Sequence, residues 1–266
     1  MEEIMKSVND AIVGFIGAGG IATALAKGFC GAEAFSGKVY MYDPNPERTG
    51  AMKKLYPEKI VIAESNQELI DSAEVVFPAL LPDVFRQIAP TLKFKEENRV
   101  VHVAGGIKLA EAEQWYKPAQ SVVRSVPLPF AARQFGPVAL FGKDEYIRDL
   151  LGLVGFVVET DTEKDLEALA VITGMMVSFH ALVGETIKWG MSKGVEFQNA
   201  LKYTTSMNEA LSILMRLDCG EDIEAFLLEN TTPHGTNEMG LKMMRDADAY
   251  RTWLEALEKI GKRYGL

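Results

Sequence analysis

Cysteine and histidine are scarce in this sequence. Cys30 and Cys219 lie far apart with no CxxC, and His102, His180 and His234 sit in unrelated contexts. That leaves no disulfide framework and no metal-ligand spacing, so no metal site is expected and a reducing compartment, the cytoplasm, is the expected location. Basic residues are outnumbered as well: 28 Lys and Arg stand against 37 Asp and Glu, a net charge of −9. Nucleic-acid binding needs a basic face to neutralise phosphates, so no nucleic-acid partner is expected. Long uninterrupted apolar runs are also missing. Residues 11–30 resemble a signal peptide only superficially, because the residues before them are as acidic as basic and glycines break the run. Residues 168–184 carry no charge but fall short of the ~20 residues that span a bilayer. An all-apolar helix in a soluble protein is a buried one, here the core of a second domain or an oligomer interface, so no membrane partner is expected.

What is present points to a nucleotide. A chain of 266 residues has room for two domains with cores of their own. An apolar strand over residues 11–16 runs into Gly17-Ala18-Gly19-Gly20-Ile21-Ala22 and then into a helix through Phe29. Gly17 permits the tight turn, Gly19 lets the backbone come close to a pyrophosphate, and Ala22 takes the third small position, where the helix packs on the strand. The helix N-terminus aims its free amides and positive dipole end at the anion. A second strand over 38–43 ends in Asp43, about 21 residues past Ala22, the spacing of a carboxylate that accepts from the adenosine ribose hydroxyls. A carboxylate there favours the free diol and hence NADH, while Arg48 on the next helix leaves NADPH open.

Apolar runs over 59–62, 74–78, 99–103, 121–124, 137–141 and 155–158 alternate with helical patterns over 46–56, 66–72, 82–89, 108–115 and 144–151. This alternation predicts an α/β domain whose parallel sheet is covered on both faces. The character changes near residue 160. Asp161-Thr162-Glu163 reads as a capped helix start, and no strand pattern follows. Helices are expected through Trp189, over 197–217 and 222–228, and from Asp246 to the end, with a loop at Thr231–Asn237. The expected division is 1–160, a Rossmann NAD(P)-binding domain, and 161–266, an all-helical domain.

Several small motifs in this order resemble the pyrroline-5-carboxylate reductase family, over nearly the full length. They are Gly14-Phe15-Ile16-Gly17-Ala18-Gly19, the asparagine of Asn66-Gln67-Glu68, and Phe77-Pro78-Ala79-Leu80-Leu81-Pro82 in place of A-V-K-P. Ala104-Gly105-Gly106 is similar to the A-A-G turn, Val123-Arg124-Ser125-Val126-Pro127 to R-x-M-P, and Thr232-Pro233-His234-Gly235-Thr236-Asn237 to S-P-G-G-T-T. The resemblance implies a Rossmann domain followed by a helical dimerisation domain, a homodimer or higher oligomer, and hydride transfer from NAD(P)H to the carbon of a cyclic imine. It implies cofactor contacts at Asn66, Ala79, Leu80, Ala104 and Gly105, and it makes Thr236 and Asn237 the catalytic pair, with Asn237 at the position that donates to the substrate nitrogen. Glu163 aligns with a carboxylate near the substrate amine; Leu128, Thr173, Met175 and Met176 fall on substrate-binding segments.

The departures concentrate on the substrate side. The lysine of A-V-K-P is Leu81, R-x-M-P-N-T-P becomes Arg124-Ser125-Val126-Pro127-Leu128-Pro129-Phe130, and S-G-S-G-P becomes Thr173-Gly174-Met175-Met176-Val177. Polar groups give way to apolar ones, and a small carboxylated imine would lose hydrogen-bond partners in such a pocket. The expected substrate is therefore a more apolar or bulkier imine or carbonyl compound. Two alternatives stay open: a true pyrroline-5-carboxylate reductase of proline biosynthesis, and a nucleotide-binding dimer without catalysis. Thr236 and Asn237 also suit a helix N-cap. His234 reads as a solvated loop residue and His180 as a core or interface one.

Overall fold

The computed structural model describes residues 7–266. The chain divides into two compact units, the first ending at Leu169 and the second beginning at Ala170, later than the change of composition at residue 160. The first unit holds β1 (Ile12–Ile16), α1 (Gly20–Gly31), β2 (Lys38–Tyr42), α2 (Pro46–Leu55), β3 (Ile60–Ile62), α3 (Asn66–Ser72), β4 (Val75–Pro78), α4 (Pro82–Ile88), β5 (Arg99–His102), α5 (Leu109–Tyr116), β6 (Ser121–Val126), β7 (Pro137–Phe141), α6 (Glu145–Gly152) and β8 (Phe156–Thr160). These strands form one sheet in the order β3-β2-β1-β4-β5-β6-β7-β8. The order reverses between β1 and β4, the switch point at which a doubly wound Rossmann sheet opens a crevice for ligands.

The expectation of an all-parallel sheet is corrected at one edge: β7 pairs antiparallel to β6, and β8 runs parallel to β7. A parallel step requires a long crossover, usually helical, whereas an antiparallel neighbour needs only a short return. The segment between β6 and β7 carries just a short 3-10 turn, Pro129–Arg133, so the strand comes back beside its predecessor. Central strands are buried on both faces. On one side Phe15, Phe29, Phe35 and Phe77 are fully buried, with the rings of Phe15 and Phe77 stacked at 4.9 Å between centroids. On the other, Leu69, Ile70, Phe85, Ile107 and Tyr116 cover the sheet.

The second unit contains α8 (Met176–Ser192), α9 (Phe197–Asp218), α10 (Ile223–Glu229), α11 (Thr236–Asp246) and α12 (Arg251–Gly261), and α7 (Glu163–Thr173) leads into it. The expected cap at the start of α7 is a reciprocal box: Asp165 N–H donates to the Thr162 hydroxyl, and Thr162 N–H donates to the Asp165 carboxylate. The helix expected from Asp246 is interrupted at Asp248, whose φ is 50°, and resumes at Arg251. Among the described residues one helical stretch, Glu163–Ser192, is long and apolar enough to cross a membrane, and only 28% of its most apolar window is buried. This corrects the reading of 168–184 as the core of a second domain. Trp189 is 66% exposed, and on α9 Tyr203 and Leu217 are 75% and 72% exposed. His180 is exposed as well, so it is no core histidine.

Candidate active site

The turn after β1 is built as its sequence requires. Gly17 has φ 92°, in the left-handed region, and a Cβ there would lie 2.9 Å from the Ala79 carbonyl oxygen. At Gly19 and Gly20 a Cβ would meet nothing within 4 Å, so this side of the turn faces open space. Gly19 caps α1 without any side-chain hydrogen bond, leaving the first amides of the helix for an anion. Ala22 is fully buried, as a helix packed closely on a strand demands.

Above these elements lies a cleft of about 770 Å³. Of the residues expected to hold a cofactor, Gly17, Gly19, Gly20, Ile21, Asp43, Asn66, Ala79, Leu80 and Gly105 line it. Ala22 and Ala104 do not line it and are fully or nearly buried, and Ala18 lines a neighbouring hollow. This hollow, of about 350 Å³, shares Gly19, Gly20 and Arg48 with the cleft and adds Thr23 and Lys27. It brings two cationic side chains to the phosphate end of the turn.

Asp43 does more than its spacing suggested. The Ala18 amide donates to its Oδ2 at 2.8 Å and the Asn45 amide to its Oδ1 at 2.9 Å, while Arg48 Nη1 lies 3.4 Å from Oδ2. Its side chain is 6% exposed, so the carboxylate ties the end of β2 to the glycine turn. Burial alone would raise its pKa, but the Ala18 and Asn45 amides and the Arg48 guanidinium outweigh that and hold it below the usual carboxylate value.

Leu81 and Pro82 line the cleft too, in the segment that the resemblance sets along the nicotinamide ribose; the lining missed from sequence is Ile16, Tyr42, Pro44, Val84, Ile88 and Val103. The available signal was the apolar pair Val84 and Ile88, four residues apart on α4 and so on one helix face. Leu81, which stands where the family pattern has lysine, is 75% exposed at this rim.

The expected substrate residues are not gathered at this cleft. Leu128 is buried before the 3-10 turn of the first unit. Glu163 is engaged internally: its Oε1 accepts from Arg124 Nη1 at 2.6 Å and from the Leu109 amide at 2.7 Å. Arg124 also reaches Glu167 at 3.1 Å. The others belong to the second unit. The Thr173 hydroxyl donates to the Ala170 carbonyl at 2.6 Å, Met175 is buried, and Met176 opens α8. Thr236 and Asn237 are exposed in the first turn of α11. The helix cap is Gly235, not either of them, and Glu238 reaches back to accept from the His234 amide at 2.7 Å.

Comparison with known proteins matches this architecture. Residues 12–106 fit a family model described as NADP oxidoreductase coenzyme F420-dependent. A pyrroline-5-carboxylate reductase of Pseudomonas aeruginosa is 26% identical over 268 aligned positions, covering 94% of both chains. The chain is thus similar to the pyrroline-5-carboxylate reductases, as a divergent relative. The solved pyrroline-5-carboxylate reductase of Streptococcus pyogenes superposes with a TM-score of 0.80 at 22% identity, over 97% of this chain and 100% of that one. A reductive aminase of Aspergillus terreus, solved with NADPH and ethyl-5-oxohexanoate, shares the fold at a TM-score of 0.57 and 14% identity, over 95% of this chain and 88% of that one. The similarity runs through both units, the helical one as well as the nucleotide fold.

Proposed function

We propose that this reductase transfers hydride from NAD(P)H to the carbon of an imine, or of a related carbonyl compound, more apolar than pyrroline-5-carboxylate. The contrast at the cleft carries the reading. Gly17, Gly19, Asp43, Asn66 and Gly105 surround a space suited to a dinucleotide, while Leu80, Leu81, Pro82, Val84 and Ile88 make the adjoining wall apolar. The reductive aminase's carbonyl ligand supports a broader substrate class.

The bound nicotinamide supplies the hydride. The chain's own groups bind and orient. The free amides at the start of α1 take the pyrophosphate, with Lys27 and Arg48 beside them. A protonated imine is already electrophilic, so positioning contributes more than acid–base chemistry. Thr236 and Asn237 keep the roles that the resemblance gives them, with the Asn237 amide as donor to the substrate nitrogen. Thr173, Met175, Met176 and Leu128 likewise keep the substrate-binding roles that the resemblance gives them.

NADH is the preferred form in this reading, because the ionised Asp43 repels a 2′-phosphate and already holds Arg48. Dissociation constants for the two cofactors test this, and NADPH binding about tenfold tighter, roughly 1.4 kcal/mol, overturns the preference. The protein works as a soluble cytoplasmic homodimer. The exposed apolar side chains of α8 and α9 support a second copy as their cover.

The test of the substrate is turnover of NAD(P)H against a panel of cyclic imines, imino acids and ketones. Higher kcat/KM for an uncharged cyclic imine than for pyrroline-5-carboxylate is expected. Pyrroline-5-carboxylate as the best substrate would restore the proline-biosynthesis reading, and cofactor binding without turnover of any member would leave a nucleotide-binding protein.

A further inference from the structure

Between β5 and α5 the chain makes the turn Ala104-Gly105-Gly106 and then enters the helix at Leu109. Gly105 lines the dinucleotide cleft. Gly106 has φ 75°, both glycines are exposed, and neither has any atom within 4 Å of where a Cβ would stand. The turn's position must come from its two ends. At the near end Ala104 is buried. The far end is held by a buried histidine and a partly buried carboxylate from outside the turn.

His102 is fully buried at the end of β5, with Nε2 3.3 Å from the Ile107 carbonyl and Nδ1 2.7 Å from the Tyr116 hydroxyl. A carbonyl only accepts, so Nε2 carries the proton and Nδ1 accepts from the tyrosine. Burial, helped by the Arg124 charge, pushes the His102 pKa down to about 4, which keeps the ring neutral in this arrangement. Burial likewise raises Tyr116 well above its ordinary value, so its hydroxyl stays a donor.

The second group is Glu163. Lys108, the N-cap of α5, offers no side-chain hydrogen bond to the helix. The amide of Leu109, the first helical residue, donates instead to Glu163 Oε1 at 2.7 Å, so a carboxylate 54 residues away does the capping. Arg124, nearly inaccessible to solvent, fixes that carboxylate at 2.6 Å.

We infer that Glu163, oriented by Arg124, is a positioning residue that caps α5 and thereby sets the Gly105–Gly106 turn against the dinucleotide, acting on cofactor binding and not on substrate. The inference rests on the dinucleotide reading above. It separates Glu163 from the substrate role implied by alignment, because its Oε1 is already shared by a guanidinium and an amide.

The test is the Kd of NADH and NADPH, measured by fluorescence titration of the full-length protein without substrate, together with hydrogen exchange over residues 107–111. Glu163→Ala is expected to weaken both cofactors about tenfold and to speed exchange at the start of α5. Lys108→Ser, which provides a cap within the helix itself, is expected to restore most of that loss when added to Glu163→Ala. A general packing role would lower stability without this rescue. Unchanged cofactor Kd with a raised KM for the imine overturns the inference, and so does a weakened Kd that Lys108→Ser leaves in place. If Glu163→Ala does not fold, Glu163→Leu, similar in length and without an acceptor, decides: weaker cofactor binding with faster exchange at the start of α5 supports the inference, and unchanged cofactor binding overturns it. A wild-type protein that binds neither dinucleotide refutes the underlying reading instead.

Discussion

The two units treat the same kind of side chain in opposite ways. In the first, large apolar residues such as Phe15, Phe29, Phe77 and Phe85 are fully buried within one chain, and the cleft for a dinucleotide is completed there as well. In the second, Val177, Trp189, Tyr203, Leu217 and Met243 stand in solvent, and the buried residues are few and mostly modest in size, among them Ala170, Val171, Ile187 and Ala200. A sheet covered on both faces closes its own core. A set of amphipathic helices with outward apolar residues closes only against something else. The first unit thus closes its own core and lines the cleft, whereas the second leaves large apolar side chains uncovered.

The largest expected effect tests the self-contained unit. Phe77→Ala removes a ring at the centre of the sheet and should destabilise the first unit by about 3–5 kcal/mol in chemical denaturation, independently of protein concentration. A concentration-dependent loss would mean that this core, too, leans on a partner. Next comes pH. His102 is neutral in the folded chain down to about pH 4, whereas an unfolded histidine takes up its proton near pH 6.5. Its contribution is therefore complete above that upper value and is lost as pH falls through the window to the folded value. The loss is on the order of 3 kcal/mol, and His102→Gln should flatten that part of the stability curve. Smaller again is Gly17→Ala, which forces a side chain into the left-handed region at a cost of about 1–3 kcal/mol and should weaken dinucleotide binding without changing the oligomeric state.

What could be seen in the sequence follows the same division. The glycine turn, the acid at the end of β2 and the alternation of strand and helix are local patterns, so they could be placed before the fold was known. The direction of β7 could not, because it depends on how a short return packs and not on strand composition. Arg124 and Glu163 are 39 residues apart, and nothing in their spacing announces that one holds the other. The apolar run at 168–184 was plain, but composition says only that such a helix is covered, never by what. Asp43 lines the cleft, and its bond to the Ala18 amide could be found only from the turn's geometry. Thr236 and Asn237 came from resemblance alone, and they stand exposed on α11 in the second unit.

The most direct measurement uses the full-length chain carrying Tyr203→Asp and Leu217→Asp, which place charges on exposed apolar positions of α9. Its mass by analytical ultracentrifugation is read beside its NAD(P)H Kd and its turnover of the best imine. The account predicts a monomer that binds NAD(P)H with the wild-type Kd and has lost imine reduction. A monomer that still turns over imine, or one that loses cofactor binding along with assembly, would contradict it.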